Sequence, residues 1–153
     1  MRTFPVSILL CTVSMAAQGR NLDTPDIPAF LSAYARGDAA TVVAQLAPDV
    51  TLYGSDAAEV FHGREEARRM LEADQQLWHH AAHIGTPEHL SVLSSGNLYT
   101  AFFDAPFSVG DGPSMAVRFA MVWQKQEGRW LLVRSSNTVP TRGQSAAELL
   151  QAH

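Results

Sequence analysis

Residues 114–139 read SMAVRFAMVWQKQEGRWLLVRSSNTV, two runs of apolar residues alternating with polar ones on either side of a tight turn. Ser114–Gln126 and Arg129–Val139 are rich in β-branched and aromatic residues, which favours β-strands. Glu127-Gly128 between them is typical of a two-residue hairpin turn. The stretch therefore predicts a long antiparallel β-hairpin.

The turn also predicts which side chains share a face of the sheet. Residues equidistant from a hairpin turn lie opposite each other, and successive side chains alternate between the faces. Trp123 is therefore expected opposite Leu132, and Met121 opposite Arg134. One face is predicted to carry Tyr99, Phe103, Phe119, Trp123, Arg134 and Ser136. The other face is predicted to carry Phe102, Asp104, Arg118, Ala120 and Val122.

Helices are predicted upstream of these strands. Ile27, Phe30, Leu31 and Tyr34 recur at helical spacing, and Asp38 is placed to cap a second helix. A third helix is predicted over roughly 64–79, with an apolar stripe of Ala67, Met70, Leu71, Leu77 and Trp78. The remaining predicted elements are strands at 50–53, 59–62, 89–94 and 98–109 and a short tail helix at 145–152. This order predicts an α+β fold, a curved antiparallel sheet with helices against one face.

Composition limits the classes of protein and of partner. Of 153 residues, 46% are hydrophobic and 17% are charged, a balance typical of one folded domain rather than a disordered chain. The net charge of -4 disfavours nucleic acid and anionic membranes as partners. Cys11 is the single cysteine, so no intrachain disulfide can form.

The first twenty residues admit two interpretations. Arg2 precedes an apolar stretch from Phe4 to Ala17, the pattern of a signal peptide. Against this, the basic region is one residue long and Pro5 interrupts the stretch. Residues 1–20 are therefore either a cleaved signal, which predicts a periplasmic or secreted protein, or an N-terminal extension of a cytoplasmic one. The domain itself is assigned to 21–153.

Neither face of the predicted sheet is polar enough to face water throughout. One face can pack on the helices, and the bulkier aromatic set suits that concave side. The other face, with Ala120 and Val122, suits close contact with a second copy of the chain. A homodimer through the convex face is therefore expected.

Charged residues give the candidate chemistry. Arg134 among aromatic side chains would need an acceptor, because an isolated buried charge is very costly. Asp74, Asp56, Glu59 or an anionic ligand could supply it. Asp104 and Arg118 are expected to form a cross-strand ion pair.

A histidine cluster suggests a metal site but does not support one well. His79 and His83 are four residues apart and could share a metal if the third helix reached them. Ile84-Gly85 and Pro87 end any helix nearby, and no carboxylate has matching spacing. A solvated helix end is favoured, with no metal and no cofactor.

Several stretches resemble a known family. VRFAMVW at 117–123 and EGRWLLVRSSNTVP at 127–140 resemble the C-terminal hairpin of SnoaL-like proteins, in the nuclear transport factor 2-like superfamily. DVTLYGSD at 49–56 and EVFHGREEA at 59–67 resemble the family's entry into its third helix. The resemblance covers roughly residues 26–140. It implies a cone-shaped curved sheet closed by three helices on its concave face, with a pocket inside, in a protein that is usually dimeric.

The spacing of Trp123 and Trp130 and the ending Thr138-Val-Pro140 are similar to the branch near the association domain of calcium/calmodulin-dependent kinase. Relatives there often carry His-x-His-x-Ser where this chain has Arg134, Ser136 and Thr138. Histidine chemistry therefore does not carry over, and Arg134 remains the candidate for binding an anion.

The leading interpretation is a homodimeric domain that binds a small hydrophobic or anionic molecule. Its predicted ligand-binding residues are Tyr34, Tyr53, Trp78, Phe103, Phe119, Met121, Arg134 and Ser136. The first alternative is a cofactor-independent acid–base enzyme (a lyase, isomerase or hydrolase) that uses a pocket carboxylate, with Asp56, Glu59, Asp74 and Asp104 nearest. The second is an assembly module whose cavity is filled by its own side chains.

Overall fold

The computed structural model describes residues 23–140 and 145–151. The predicted signal peptide or extension at 1–20 lies outside these residues. Within the described residues, no helix combines the length and the apolar character needed to cross a bilayer.

The order of elements agrees with the α+β prediction, with one strand added. The elements are α1 (Ile27–Ala35), α2 (Ala39–Ala44), β1 (Leu46–Tyr53), β2 (Val60–His62), α3 (Gly63–Leu77), β3 (Ala82–Ile84), β4 (Glu88–Ser95), β5 (Leu98–Val109), β6 (Met115–Gln126), β7 (Arg129–Thr138) and α4 (Ala146–Gln151). The unpredicted strand is β3, whose three residues are too short to show an alternating pattern.

The strands form one curved, seven-stranded sheet in the order β2-β1-β7-β6-β5-β3, with β4 also paired to β5. The predicted antiparallel meander is confirmed for β4 to β7. The pairing of β1 with β7 is parallel. This pairing places β1 inside the sheet beside β7, with β2 at the edge.

The concave face and the first three helices enclose the core. Helix α1 begins where the Asp26 side chain accepts a hydrogen bond from the Ala29 amide at 3.0 Å, and α2 begins in the same way at Asp38 and Thr41. The predicted apolar face of α1 is buried at Ile27, Phe30 and Leu31. These side chains and those of α2 and α3 pack on the concave residues Tyr99, Phe103, Phe119, Met121, Trp123 and Leu132.

Helix α3 ends earlier than predicted. Ala67 and Leu71 are buried as expected, but Leu77 is 73% exposed and is the last helical residue. His79 and His80 have φ angles of 50° and 57°, left-handed conformations that cannot continue a helix. The expectation that Leu77 lies on the buried stripe is therefore wrong, as is the helix end at residue 79.

The register of β6 and β7 contains a β-bulge. Trp123 pairs with Leu132 as predicted, but Val122 pairs with Arg134 and Met121 with Ser135, which leaves Val133 as an extra residue. One extra residue exchanges the faces of every side chain beyond it.

The predicted inward placement of Arg134 and Ser136 is therefore wrong. Arg134 is exposed and donates a hydrogen bond of 3.1 Å from Nη1 to the Asp49 carbonyl, and Ser136 pairs with Ala120 on the outer face. Ser135 and Asn137 take the inward positions. The bulge places this guanidinium at the surface, where the Asp49 carbonyl accepts a hydrogen bond from it, rather than among the aromatic side chains of the concave face.

Candidate functional site

A cavity lies between the concave face, α1 and α3. Its outer chamber has a volume of about 250 Å³, and a narrow inner slot of about 40 Å³ shares part of its wall. Tyr34, Met70, Phe119 and Asn137 contribute to both. The sheet thus leaves space that the helices do not fill.

Five of the predicted ligand-binding residues line this cavity. Tyr53 and Met121 lie along the inner slot, Trp78 along the outer chamber, and Tyr34 and Phe119 along both. Helical spacing and strand alternation predict four of them, because Tyr34 lies in α1, Tyr53 in β1, and Phe119 and Met121 in β6, whereas Trp78 lies in the turn after α3.

Three predicted residues do not line it. Phe103 is 2% exposed and stacks on Phe119 with ring centroids 5.1 Å apart, so it lies in the core behind the wall. Arg134 and Ser136 lie on the outer side of the sheet because of the bulge.

Ser135 and Asn137 occupy the positions that were assigned to those two residues, and both contribute to the wall of the inner slot. The signal that could have revealed them is Trp130-Leu-Leu-Val133, four consecutive apolar residues that interrupt the alternation of β7. Met70 was assigned to the apolar stripe of α3 but not to the site.

The polar centre of the cavity is a hydrogen bond between two helices. The Tyr34 hydroxyl on α1 donates to Asp74 Oδ2 on α3 at 2.9 Å. The next residue on α3, Gln75, is 3% exposed and donates from Nε2 to the Tyr34 carbonyl at 3.0 Å. Two successive residues of α3 therefore fix Tyr34, one at its hydroxyl group and the other at its backbone carbonyl.

Aromatic rings complete the wall on the same side. The Trp78 ring lies edge-on to Tyr34 at 5.8 Å and to Phe107 at 5.1 Å. Edge-to-face packing fixes the rings at a favourable geometry. Trp78 follows the last turn of α3, so the early helix end presents its ring to the chamber.

Burial gives Asp74 an unusual acidity. Burial raises the pKa of Asp74 above its ordinary value. The hydrogen bond from Tyr34 opposes this increase in part, and the negative charge of Glu59 adds to it. Burial, followed by the charge of Asp74, raises the pKa of Tyr34 well above its ordinary value. Tyr34 is therefore a neutral donor, and Asp74 can exchange a proton at higher pH than an exposed aspartate.

Glu59 is a second carboxylate on the wall of the chamber. Its Oε2 accepts a hydrogen bond from the Asp56 amide at 3.0 Å. A Cβ at Gly54 would lie 2.1 Å from the same oxygen, so only glycine leaves room for this carboxylate.

The outer-face ion pair is confirmed and lies away from the cavity. Arg118 donates to Asp104 through Nε at 2.8 Å and Nη2 at 3.1 Å. This contact lowers the pKa of Asp104. Asp104 is therefore not available as a pocket carboxylate.

Helix α3 ends before the histidines and does not bring them together. His79 and His80 follow α3, and His83 lies in β3, so the helical spacing that would bring two rings together is absent. In the described parts of the chain, no three His, Cys, Asp or Glu side chains cluster as metal ligands would.

Sequence comparison gives the family. A profile of the SnoaL-like domain matches residues 27–133, most of the chain and all of the cavity except its last strand residues. The chain belongs to the SnoaL-like family. No curated protein matches its sequence significantly.

Solved structures show the same fold at low identity. The SnoaL-like chain is similar to a candidate calcium/calmodulin-dependent protein kinase II association domain from Xanthomonas campestris, with a TM-score of 0.66, 19% identity, and coverage of 75% of this chain and 83% of the other. A nuclear transport factor 2-like protein of unknown function from Pseudomonas putida KT2440 has a TM-score of 0.65, 16% identity and coverage of 80% and 88%. A candidate ketosteroid isomerase from Shewanella frigidimarina has a TM-score of 0.61, 20% identity and coverage of 71% and 88%. These likenesses establish a cystatin-like, nuclear transport factor 2-like fold and assign no role to any residue.

The buried Asp74 predicts a stability difference that depends on pH. Because its folded pKa is raised, the folded state holds more protons than the unfolded state between pH 3.8, the ordinary value, and the raised value. The free energy of unfolding contributed by Asp74 therefore falls as pH rises through this window. The free energy of unfolding of Asp74→Asn, relative to that of wild type, should therefore increase as pH rises through the window. Below the window this difference should no longer change with pH.

Urea unfolding monitored by circular dichroism between pH 3 and pH 8 measures this difference. Glu72→Gln, an exposed position on α3, controls for the loss of one negative charge from the helix. A difference between wild type and Asp74→Asn that stays constant across the range would contradict the burial of the carboxylate.

Proposed function

We propose that this SnoaL-like protein binds a small molecule in the cavity between α1, α3 and the concave face of the sheet. The observation that carries the proposal is the open volume of about 250 Å³, which the protein's own side chains leave unfilled. It lies near the lower end of the range of about 300–1,000 Å³ typical for ligand pockets. An assembly module with a vestigial, filled cavity fits this volume less well.

The wall has the composition of a binding site. Trp78, Phe107 and Phe119 supply apolar surface, and Tyr34 and Asp74 add polar atoms at one point. Apolar contact gives such a ligand most of its affinity, and a few placed polar groups fix its orientation. With Arg134 on the outer side, the reason for expecting an anionic ligand no longer holds.

A homodimer through the convex face is part of the proposal. Phe102 is 52% exposed and Leu98 is 43% exposed on that face, beside half-buried Ala120 and Val122. A patch of this kind is unusual for a surface that faces only water. The nearby charges of Asp104 and Arg118 neutralise each other, so this pair adds no net charge to the face.

A second candidate function is proton transfer by Asp74. The feature that favours it is a half-buried carboxylate with a raised pKa in a largely apolar cavity, the usual setting of a carboxylate general base. In this mechanism Asp74 would take a proton from a carbon next to a carbonyl group. It would return the proton to the far carbon of the shifted double bond, without a cofactor.

A larger side chain inside the cavity should weaken ligand binding. Val117→Trp places an indole ring in the outer chamber and should weaken binding of the neutral probe 2-phenylethanol at least about tenfold, because ring and probe compete for one volume. Isothermal titration calorimetry measures the affinity. Leu150→Trp, on exposed α4, is the matched control. Equal affinities for wild type and Val117→Trp would mean that the probe binds elsewhere.

A charge on the convex face should dissociate the dimer. Ala120→Arg would place two guanidinium groups against each other across the proposed interface and should shift a dimer to monomer in analytical ultracentrifugation. Ala57→Arg, in an exposed turn, is the control. A wild-type protein that stays monomeric throughout the micromolar range would refute the interface.

The enzyme candidate predicts turnover of a small β,γ-unsaturated ketone to its conjugated isomer, followed by ultraviolet absorbance. The rate should rise with pH through the raised pKa of Asp74, because only the carboxylate accepts a proton. Asp74→Asn should lower it by about 10²–10⁴-fold, whereas Glu72→Gln should not. A rate that Asp74→Asn leaves unchanged would exclude Asp74 as the base.

A further inference from the structure

We propose that the ligand of this cavity is a small organic cation, a protonated amine on an apolar or aromatic body, whose ammonium group lies between Asp74, Glu59 and the buried oxygen of Asn137. The inference rests on the proposed small-molecule binding and names the charge class of the ligand.

The charges on the wall have one sign. Asp74 and Glu59 are the ionisable carboxylates of the outer chamber, and within residues 23–140 and 145–151 no Lys, Arg or His side chain joins them in its wall or in that of the inner slot. The ion pairs found within the described residues both involve Asp104, on the other side of the sheet. In this part of the chain, the carboxylates of the cavity therefore have no cationic partner within salt-bridge distance.

Arg69 is a basic side chain beside the site that requires consideration. It lies with Glu66 in a surface groove whose wall also includes Glu59 and Asp74. It makes no ion pair with either carboxylate. Its guanidinium group therefore does not neutralise them at salt-bridge distance.

The outer chamber presents more hydrogen-bond acceptors than the described part of the chain supplies donors for. Tyr34 occupies Oδ2 of Asp74, and the Asp56 amide occupies Oε2 of Glu59, so the other described residues leave one oxygen of each carboxylate for a ligand. Oδ1 of Asn137 is buried and has no hydrogen-bond partner among the residues that the structure describes. A buried acceptor without a partner costs free energy that a donor from a ligand would recover.

An ammonium group matches this arrangement. It offers three N–H donors and no acceptor, and its charge offsets those of the carboxylates. An anion in the same place would face like charges at low effective dielectric. Trp78 and Tyr34 are aromatic residues of the same wall, and aromatic rings attract cations in a way that neutral ligands do not share.

The same charges predict how affinity depends on pH. Burial and Glu59 raise the pKa of Asp74, and a bound cation would lower it again. By linkage, affinity for an amine should rise with pH as Asp74 ionises and should fall only where the amine loses its own proton. Tyr34, Glu59 and, from outside, Arg69 are the other titratable groups that face Asp74.

The experiment compares three probes of one shape and different charge: 2-phenylethylamine, 2-phenylethanol and phenylacetate. Calorimetric titration at low ionic strength should give the amine an affinity at least about tenfold above the alcohol and further above phenylacetate. Asp74→Asn should bring the amine-to-alcohol ratio close to one, because it removes the charge and keeps an acceptor for Tyr34. Glu72→Gln should keep the wild-type ratio.

Circular dichroism establishes that each variant folds, and Glu59→Gln provides a second variant with a smaller expected loss of amine preference. If the alcohol or phenylacetate binds as tightly as the amine, the inference is overturned and the binding function stands. If none of the probes binds, both are overturned. An amine preference that survives both Asp74→Asn and Glu59→Gln would also overturn the assignment, because the cation would then lie elsewhere.

Discussion

The extra residue in β7 determines what the cavity can do. Val133 has no partner on β6, and from that point to the end of the strand the side chains exchange faces. Without the bulge, a guanidinium would enter the concave side. With it, a serine and an asparagine enter instead, so the negative charge of the cavity is not compensated. The chemical character of the site thus depends on one unpaired residue.

The second determinant is the contact between α1 and α3. Tyr34 is held by consecutive residues of α3, its hydroxyl by Asp74 and its carbonyl by Gln75. Residues one apart on a helix point about 100° away from each other, so this double contact fixes both the rotation of α3 and the distance between the helices. These two hydrogen bonds therefore determine the width of the space between the helices, although no side chain of the described residues fills that space.

Regular features of the fold could be predicted from the sequence, and irregular ones could not. The hairpin, the long strands and the buried face of α1 follow from periodicity and caps, which act over a few residues. The bulge, the short β3 and the early end of α3 depend on tertiary context. At His79 and His80, for example, two non-glycine residues adopt left-handed conformations that local preference disfavours. Of the five predicted site residues that line the cavity, four lie in α1, β1 and β6, where the pattern is regular, and Trp78 lies in the turn after α3.

The exposure of strand β4 affects the local stability of the sheet. All eight of its residues are exposed, and its ladder of hydrogen bonds joins it to β5 alone. Few buried contacts oppose its separation from the sheet, so opening at this margin requires much less free energy than global unfolding. Amide hydrogens of β4 therefore exchange with solvent long before those of β6. Strand β4 can therefore open locally while the cavity, on the other strands and the helices, keeps its structure.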